Sequence, residues 1–153
     1  MVNGVDPLGY GTHLILDGFR ADDVLLTDAA SVESVLADLG ELMNETGSVS
    51  RVTVLASPDA REGLSGALVA AESQLCIHTF APLHKLSLEA FSSRSLPADA
   101  VKRVFVERFR VGRVECRIHG RGRLLPRAQE PLELALRGER DYVRLRLRDL
   151  LGA

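Results

Sequence analysis

The sequence has few aromatic residues and few cysteines, and each shortage argues against a class of function. It contains no Trp, five Phe and two Tyr in 153 residues, so we expect no extended surface for stacking nucleic-acid bases. The two cysteines, Cys76 and Cys116, lie far apart, and the four histidines are scattered. We therefore predict no metal site and two free thiols, as is usual in a reducing compartment.

The sequence also lacks long apolar runs and an export signal. No apolar stretch approaches the roughly 20 residues needed to cross a bilayer. The first seven residues have neither the basic start nor the apolar segment of a signal peptide. With 46% hydrophobic and 26% charged residues, the composition is that of an ordinary globular protein. We expect a cytoplasmic protein with no membrane partner.

The net charge of −2 conceals two regions of opposite sign. Residues 1–100 contain 5 Lys/Arg against 14 Asp/Glu, whereas residues 101–153 contain 14 against 7. A basic segment can bind nucleic acid. Here the arginines alternate with leucines and acids, which is more typical of a solvated face, so we expect no nucleic-acid partner. Alternatively, the basic end neutralises the acidic part of the same subunit or a neighbouring one.

The apolar patterning predicts an α+β fold. One helix is expected over 31–45 with Ser31 as N-cap, and another over 97–109 with Pro97 in its first turn. Strands are expected at 12–16, 51–56, 65–71, 74–80, 85–91 and 113–119. We summarise the core as β-α-β-β-β-α-β, a mainly antiparallel sheet with helices on one face.

We divide the chain into a domain over 1–120 and a C-terminal extension over 121–153. Alternating leucines at 132–136 and apolar residues at 143–147 flank Arg-Gly-Glu-Arg at 137–140. This period of two favours a β-hairpin packed on the same domain. A charged helix is the alternative, because Leu, Arg and Glu are good helix formers.

Four sequence blocks resemble a known family. They are Gly-Thr-His-Leu-Ile-Leu-Asp at 11–17, Gly-Leu-Ser-Gly at 63–66, Ala-Glu-Ser at 71–73 and Ile-His-Thr at 77–79. In this order and spacing, over about residues 10–120, they resemble the prokaryotic S-adenosylmethionine decarboxylases. That resemblance implies a proenzyme whose Glu72–Ser73 bond breaks itself.

The resemblance also assigns roles to these residues. Ser73 becomes a covalently bound pyruvoyl group, after its hydroxyl attacks the Glu72 carbonyl and the resulting ester undergoes β-elimination. His78 removes the serine α-proton, and Ser65 assists by hydrogen bonding. The pyruvoyl ketone then forms a Schiff base with the substrate amine and withdraws electrons as CO2 leaves.

Two further positions follow from the resemblance. Ser93 stands where the family has its proton-donating cysteine, and a serine hydroxyl is a much weaker acid than a thiol, so activity is in question. Phe80 keeps a family aromatic and is assigned to substrate binding. Cys76 shares a strand face with His78 and could supply a proton, or it could be a small buried apolar residue.

The resemblance thus implies a homodimeric S-adenosylmethionine decarboxylase that serves spermidine biosynthesis. One alternative keeps the pyruvoyl chemistry but acts on arginine or ornithine. The other is a catalytically inactive homologue that binds or regulates a partner.

Overall fold

The computed structural model describes residues 11–43, 51–56, 62–122, 134 and 137–142. In chain order its elements are β1 (Gly11–Phe19), α1 (Asp23–Thr27), α2 (Ala29–Leu42), β2 (Arg51–Ala56), β3 (Leu64–Val69), β4 (Ser73–Phe80), β5 (Lys85–Ser92), α3 (Ala98–Arg108) and β6 (Arg113–Arg121). A 3₁₀ turn at Ala81–Leu83 precedes β5.

The strands form one six-stranded sheet in the order β2-β3-β4-β5-β1-β6. Strands β2 to β5 are an antiparallel meander, and β1 runs antiparallel to β5. This confirms the predicted α+β fold with a mainly antiparallel sheet. All six strands predicted individually are present, whereas the summary order β-α-β-β-β-α-β contains one strand too few between the two helices. Four strands lie between α2 and α3.

The core lies between one face of the sheet and the helices. Alternate residues of β1, β4 and β5 point to this face, as the period of two requires, and the helices cover it with their apolar stripes. Phe105 of α3 and Phe109 at the C-terminal cap of α3 are fully buried and pack edge to face, with ring centroids 6.1 Å apart. The fully buried leucines and isoleucine include Leu14, Leu16, Leu36, Leu39, Leu75, Ile77 and Leu88.

The helix starts differ from those predicted. Asp28, not Ser31, caps α2, and its carboxylate accepts hydrogen bonds from the backbone N–H groups of Ala30 and Ser31. Asp22 caps the short helix α1, which the sequence patterns did not reveal. A helix of five residues is too short to show a 3.6-residue period.

The chain divides into two compact units, residues 11–119 and residues 1–10 with 120–153. In the second unit, residues 137–142 are helical. The turn predicted at 137–140 between two strands is therefore replaced by helix, in keeping with the helix propensity of Leu, Arg and Glu. The strands predicted for 132–136 and 143–147 lie outside the described residues, apart from Leu134, which is also helical. Among the described residues, no helix is long and apolar enough to span a membrane.

Candidate active site

Ser73 is the first residue of β4, directly after the tight turn that leaves β3. The N–H of Ala70 donates to the Ser73 carbonyl across this turn, at 2.9 Å. Ser73 is only 5% exposed, and its Oγ has no hydrogen-bond partner in the described part of the chain. A buried hydroxyl without a partner is unusual in a folded protein and suggests a role in chemistry.

The peptide carbonyl before Ser73 is held by two donors from Ser93. The Glu72 carbonyl oxygen accepts the Ser93 N–H at 2.9 Å and the Ser93 hydroxyl at 3.3 Å. These donors would stabilise negative charge on that oxygen if Ser73 attacked the carbonyl carbon. The structure thus places Ser73, Glu72 and Ser93 together.

Two residues missed by the sequence analysis complete this cluster. Ser92 lies directly opposite Ser73 in the sheet, is 1% exposed, and accepts the Arg94 N–H at 3.0 Å. The Arg94 guanidinium forms an ion pair with the Glu72 carboxylate. Because both residues flank Ser93, the end of β5 fixes the Glu72–Ser73 segment from one side. Their position beside Ser93 was the only signal in the sequence.

Ser65 and His78 form a second cluster. They are a cross-strand pair of β3 and β4, and the Ser65 Oγ lies 2.9 Å from His78 Nδ1. Both side chains are exposed and line an open cavity of about 390 Å³. Phe80, 46% exposed, lies two residues further along β4 and lines the same cavity. Ser65 and His78, assigned to processing, therefore meet Phe80, assigned to substrate binding, at this cavity.

One chain does not bring the two clusters together. Ser73 and His78 are five residues apart on one regular strand, which corresponds to about 16 Å at 3.3 Å per residue. The odd spacing also places their side chains on opposite faces, and Ser73 is buried whereas His78 is exposed. The odd spacing between Ser73 and His78 can be read from the sequence. The prediction that His78 is the base for Ser73 came instead from the family resemblance.

The Gly-Leu-Ser-Gly block positions Ser65 through a close backbone contact at Gly63 and a hydrogen bond at Leu64. Gly63 has a φ of +149°, and a Cβ there would lie 1.9 Å from the Thr79 carbonyl oxygen, so only glycine fits. The Thr79 hydroxyl accepts the Leu64 N–H and donates to the Leu26 carbonyl, both at 2.7 Å. Thr79 thereby ties β3, β4 and α1 together beside the Ser65–His78 pair.

Cys76 lies on the His78 face of β4 and is half-buried. Burial raises the pKa of its thiol, and the Glu89 carboxylate opposite it on β5 raises that pKa further. Both effects weaken the thiol as an acid. Within the described ranges, no cluster of three or more His, Cys, Asp or Glu could hold a metal ion.

The fold and these clusters define a small α+β protein with a Glu-Ser turn. A solved structure with a similar fold is known. The adenosylmethionine decarboxylase from Aquifex aeolicus VF5 has a similar structure, with a TM-score of 0.64 at 16% sequence identity, covering 75% of this chain and 92% of that one. This likeness concerns the fold. No curated protein sequence matches the chain.

The family follows from the sequence itself. The S-adenosylmethionine decarboxylase family profile matches residues 12–122, which is well over half of the chain. The protein belongs to the S-adenosylmethionine decarboxylase family.

Proposed function

We propose that this chain cleaves its own Glu72–Ser73 bond, converts Ser73 into a pyruvoyl group, and uses that group to decarboxylate S-adenosylmethionine. The main support is the unpartnered, buried Ser73 hydroxyl, next to a carbonyl that already accepts two hydrogen bonds from Ser93. Such an arrangement fits a serine that serves as the precursor of a covalent group.

In the first step, the Ser73 Oγ attacks the Glu72 carbonyl carbon and loses its proton. The C–N bond of the peptide then breaks, the Ser73 nitrogen takes up a proton, and an ester joins the two segments. Ser93 stabilises the oxyanion through its N–H and hydroxyl, and removing one such donor commonly slows a reaction by about 10²–10³-fold.

In the second step, a base removes the Ser73 α-proton and the Cβ–O bond of the ester breaks. Glu72 leaves with a free carboxylate, and residue 73 becomes a dehydroalanine. Water then hydrolyses it, with loss of ammonia, to a ketone. We assign the base to His78, whose Nδ1 hydrogen-bonds the Ser65 hydroxyl, because a neutral imidazole nitrogen is a common general base.

The pyruvoyl group, once formed, supplies a ketone that holds the substrate amine and accepts electrons as CO2 leaves. Phe80 borders the His78 cavity with an exposed ring and is proposed to contact the substrate. Ser93, which contacts the Glu72 carbonyl, is proposed to return a proton after CO2 is lost. Because the chain belongs to this family, we propose that its product serves spermidine biosynthesis.

The separation of the two clusters supports a homodimer in which each site combines two chains. One chain supplies Ser73, Glu72 and Ser93. The other supplies Ser65 and His78 from the opposite sheet face, about 16 Å along the strand from their own Ser73.

Intact mass under denaturing conditions tests the proposal. We expect fragments of 72 and 81 residues, the larger beginning with a pyruvoyl group, whereas the Ser73→Ala variant stays at the full mass near 16.6 kDa. Ser95→Ala, an exposed serine on the neighbouring loop, is the control and should cleave normally. An uncut native chain would leave a binding or regulatory homologue as the function.

Release of CO2 by the cleaved protein then tests the substrate. We expect release from S-adenosylmethionine. Release only from arginine or ornithine would keep the self-cleavage and replace the proposed substrate.

A further inference from the structure

A second cavity lies at the other end of the sheet from Ser73. The registers place Ser73, Ser92 and Thr12 in one row across β4, β5 and β1, and the terminal row at the other end is Phe80, Lys85 and Phe19. Seven residues separate the rows along β4, which corresponds to about 23 Å. The cavity has a volume of about 600 Å³.

The lining of this cavity is basic. Its residues are Phe19, Arg20, Ala21, Leu83, His84, Lys85 and Arg113. Arg20, Lys85 and Arg113 have cationic side chains, and none of the described residues that line the cavity is acidic. In a protein with a net charge of −2, this concentration of one sign requires an explanation.

Two of the cations share one aromatic ring. The Lys85 Nζ lies 5.5 Å and the Arg113 Cζ 3.9 Å from the ring centroid of Phe19. Both distances suit a cation–π contact. They also keep the charges within about 10 Å of each other, comparable to the Debye length of about 8 Å at physiological ionic strength. Their repulsion is therefore only partly screened, and a bound anion would relieve it.

The backbone around the cavity is held in an uncommon conformation. Arg20 and His84 have φ values of +57° and +49°, in the left-handed region that only a few per cent of non-glycine residues adopt, Asn, Asp and His more often than Arg. The Ala21 N–H donates to the His84 carbonyl at 3.1 Å, which joins the two segments. Such strain is found more often at binding sites than elsewhere.

Glu115 lies close to this cluster without lining the cavity. Glu115 accepts a hydrogen bond from Arg113 at 2.7 Å and also approaches Arg117. It neutralises part of the charge of Arg113. The uncompensated positive charge at the cavity therefore comes mainly from Arg20 and Lys85.

We propose that this cavity is a binding site for a phosphate group, either free or as part of a small phosphorylated molecule. Phosphate suits the donors present, since a guanidinium can engage two of its oxygens and an ammonium supplies a point charge. The proposal does not depend on self-cleavage, because none of the lining residues belongs to the Ser73 cluster.

Calorimetric titration of the full-length protein with pyrophosphate tests the site. We expect binding that weakens as NaCl is raised. Lys85→Met keeps the stem over Phe19 but removes the charge, and should weaken binding at least about tenfold. Lys102→Met, on α3 and the only other lysine in the chain, is the matched control and should bind like the native protein.

A second variant guards against a folding artefact. Arg20→Asn removes the charge while keeping a residue that tolerates the left-handed conformation, and it should also weaken binding while thermal unfolding stays cooperative. Tighter binding of adenosine diphosphate than of pyrophosphate would assign the site to a nucleotide, and the reverse would assign it to a free anion. No heat with either probe up to about 10 mM, or equal losses in Lys85→Met and Lys102→Met, would overturn the proposal.

Discussion

At the scale of single residues, Ser93 is the most informative position. By the sequence resemblance, Ser93 is predicted to stand where the family has a cysteine, which is a better acid for returning a proton to the substrate. In this chain the serine instead donates to the Glu72 carbonyl at 3.3 Å, alongside its own N–H at 2.9 Å. Its hydroxyl is therefore well placed for the proposed self-cleavage, and it is a weaker acid than a thiol for the proposed protonation.

Substitutions of Ser93 should separate these two roles. Ser93→Ala removes one oxyanion donor but keeps the backbone N–H, so self-cleavage should slow by about 10²-fold. Ser93→Cys should cleave and should then raise the rate of CO2 release above that of the native protein. Fragment formation followed by mass spectrometry, and CO2 release from S-adenosylmethionine, measure the two effects. Cleavage of Ser93→Ala at the native rate would remove the hydroxyl from the processing step.

At the scale of elements, the acidic cap of α2 determines where that helix begins. The pKa of the Asp28 carboxyl is lowered, mainly by the hydrogen bond from the Ser31 hydroxyl and also by the backbone N–H groups of Ser31 and Ala30. The folded state thus prefers the ionised form. Its stabilising effect is present above the usual pKa near 3.8 and is lost as the pH falls through the lower folded value.

Thermal unfolding of two Asp28 variants checks this. Asp28→Ala should melt below the native protein at pH 7, and the difference should shrink as the pH falls below about 3.8. Asp28→Asn keeps a capping side chain that does not titrate, so its advantage over Asp28→Ala should not depend on pH in this way. An Asp28→Ala difference that persisted at pH 2 would show that ionisation of Asp28 is not the cause.

Thr79 is the buried link between β3, β4 and α1. Thr79→Val keeps the shape but leaves the Leu64 N–H and the Leu26 carbonyl without this partner, which should cost about 2–4 kcal/mol of unfolding free energy. Thr53→Val on β2, where the threonine is exposed, is the matched control and should change the stability little. Urea denaturation measures both, and equal effects would show that the Thr79 hydrogen bonds contribute nothing special.

At the scale of the whole molecule, ion pairs link the acidic residues of 1–100 with the basic residues of 101–153 within the described part of the chain. Three arginines beyond residue 100 form ion pairs with acids from the first 40 residues, namely Arg108 with Asp38, Arg110 with Asp22, and Arg117 with Asp17. These pairs are largely exposed, so each adds little stability. They agree with the interpretation that the basic segment neutralises the acidic part of its own chain.

The proposed sharing of the site between two chains gives a test at the same scale. Neither Ser73→Ala nor His78→Ala should cleave alone. When the two variants are co-expressed, a mixed dimer has one site with both changes and one site with neither. The His78→Ala chain should then be cut, and mass spectrometry would show its fragments. Absence of any cut in the mixture, with mixed dimers present, would place the base within the same chain as Ser73.

The sequence by itself determined the fold class, most strands and the location of the Glu-Ser turn. The periods of two and 3.6 residues reflect which side chains must be buried. Gly63 in the Gly-Leu-Ser-Gly block has a φ of +149°, a conformation that residues with a side chain rarely adopt. The start of α2 was less predictable, because Asp28 and Ser31 are equally good caps and both take part in the observed cap.

The tertiary structure alone decided which reactive residues meet. Sequence spacing measures distance along a strand, whereas contacts across a sheet depend on register and on which face each side chain occupies. The register sets Ser92 against Ser73, brings Ser93 to the Glu72 carbonyl, and sends His78 to the other face beside Ser65. The fold also brings Arg20, Lys85 and Arg113, separated by up to 93 positions in the sequence, around one cavity.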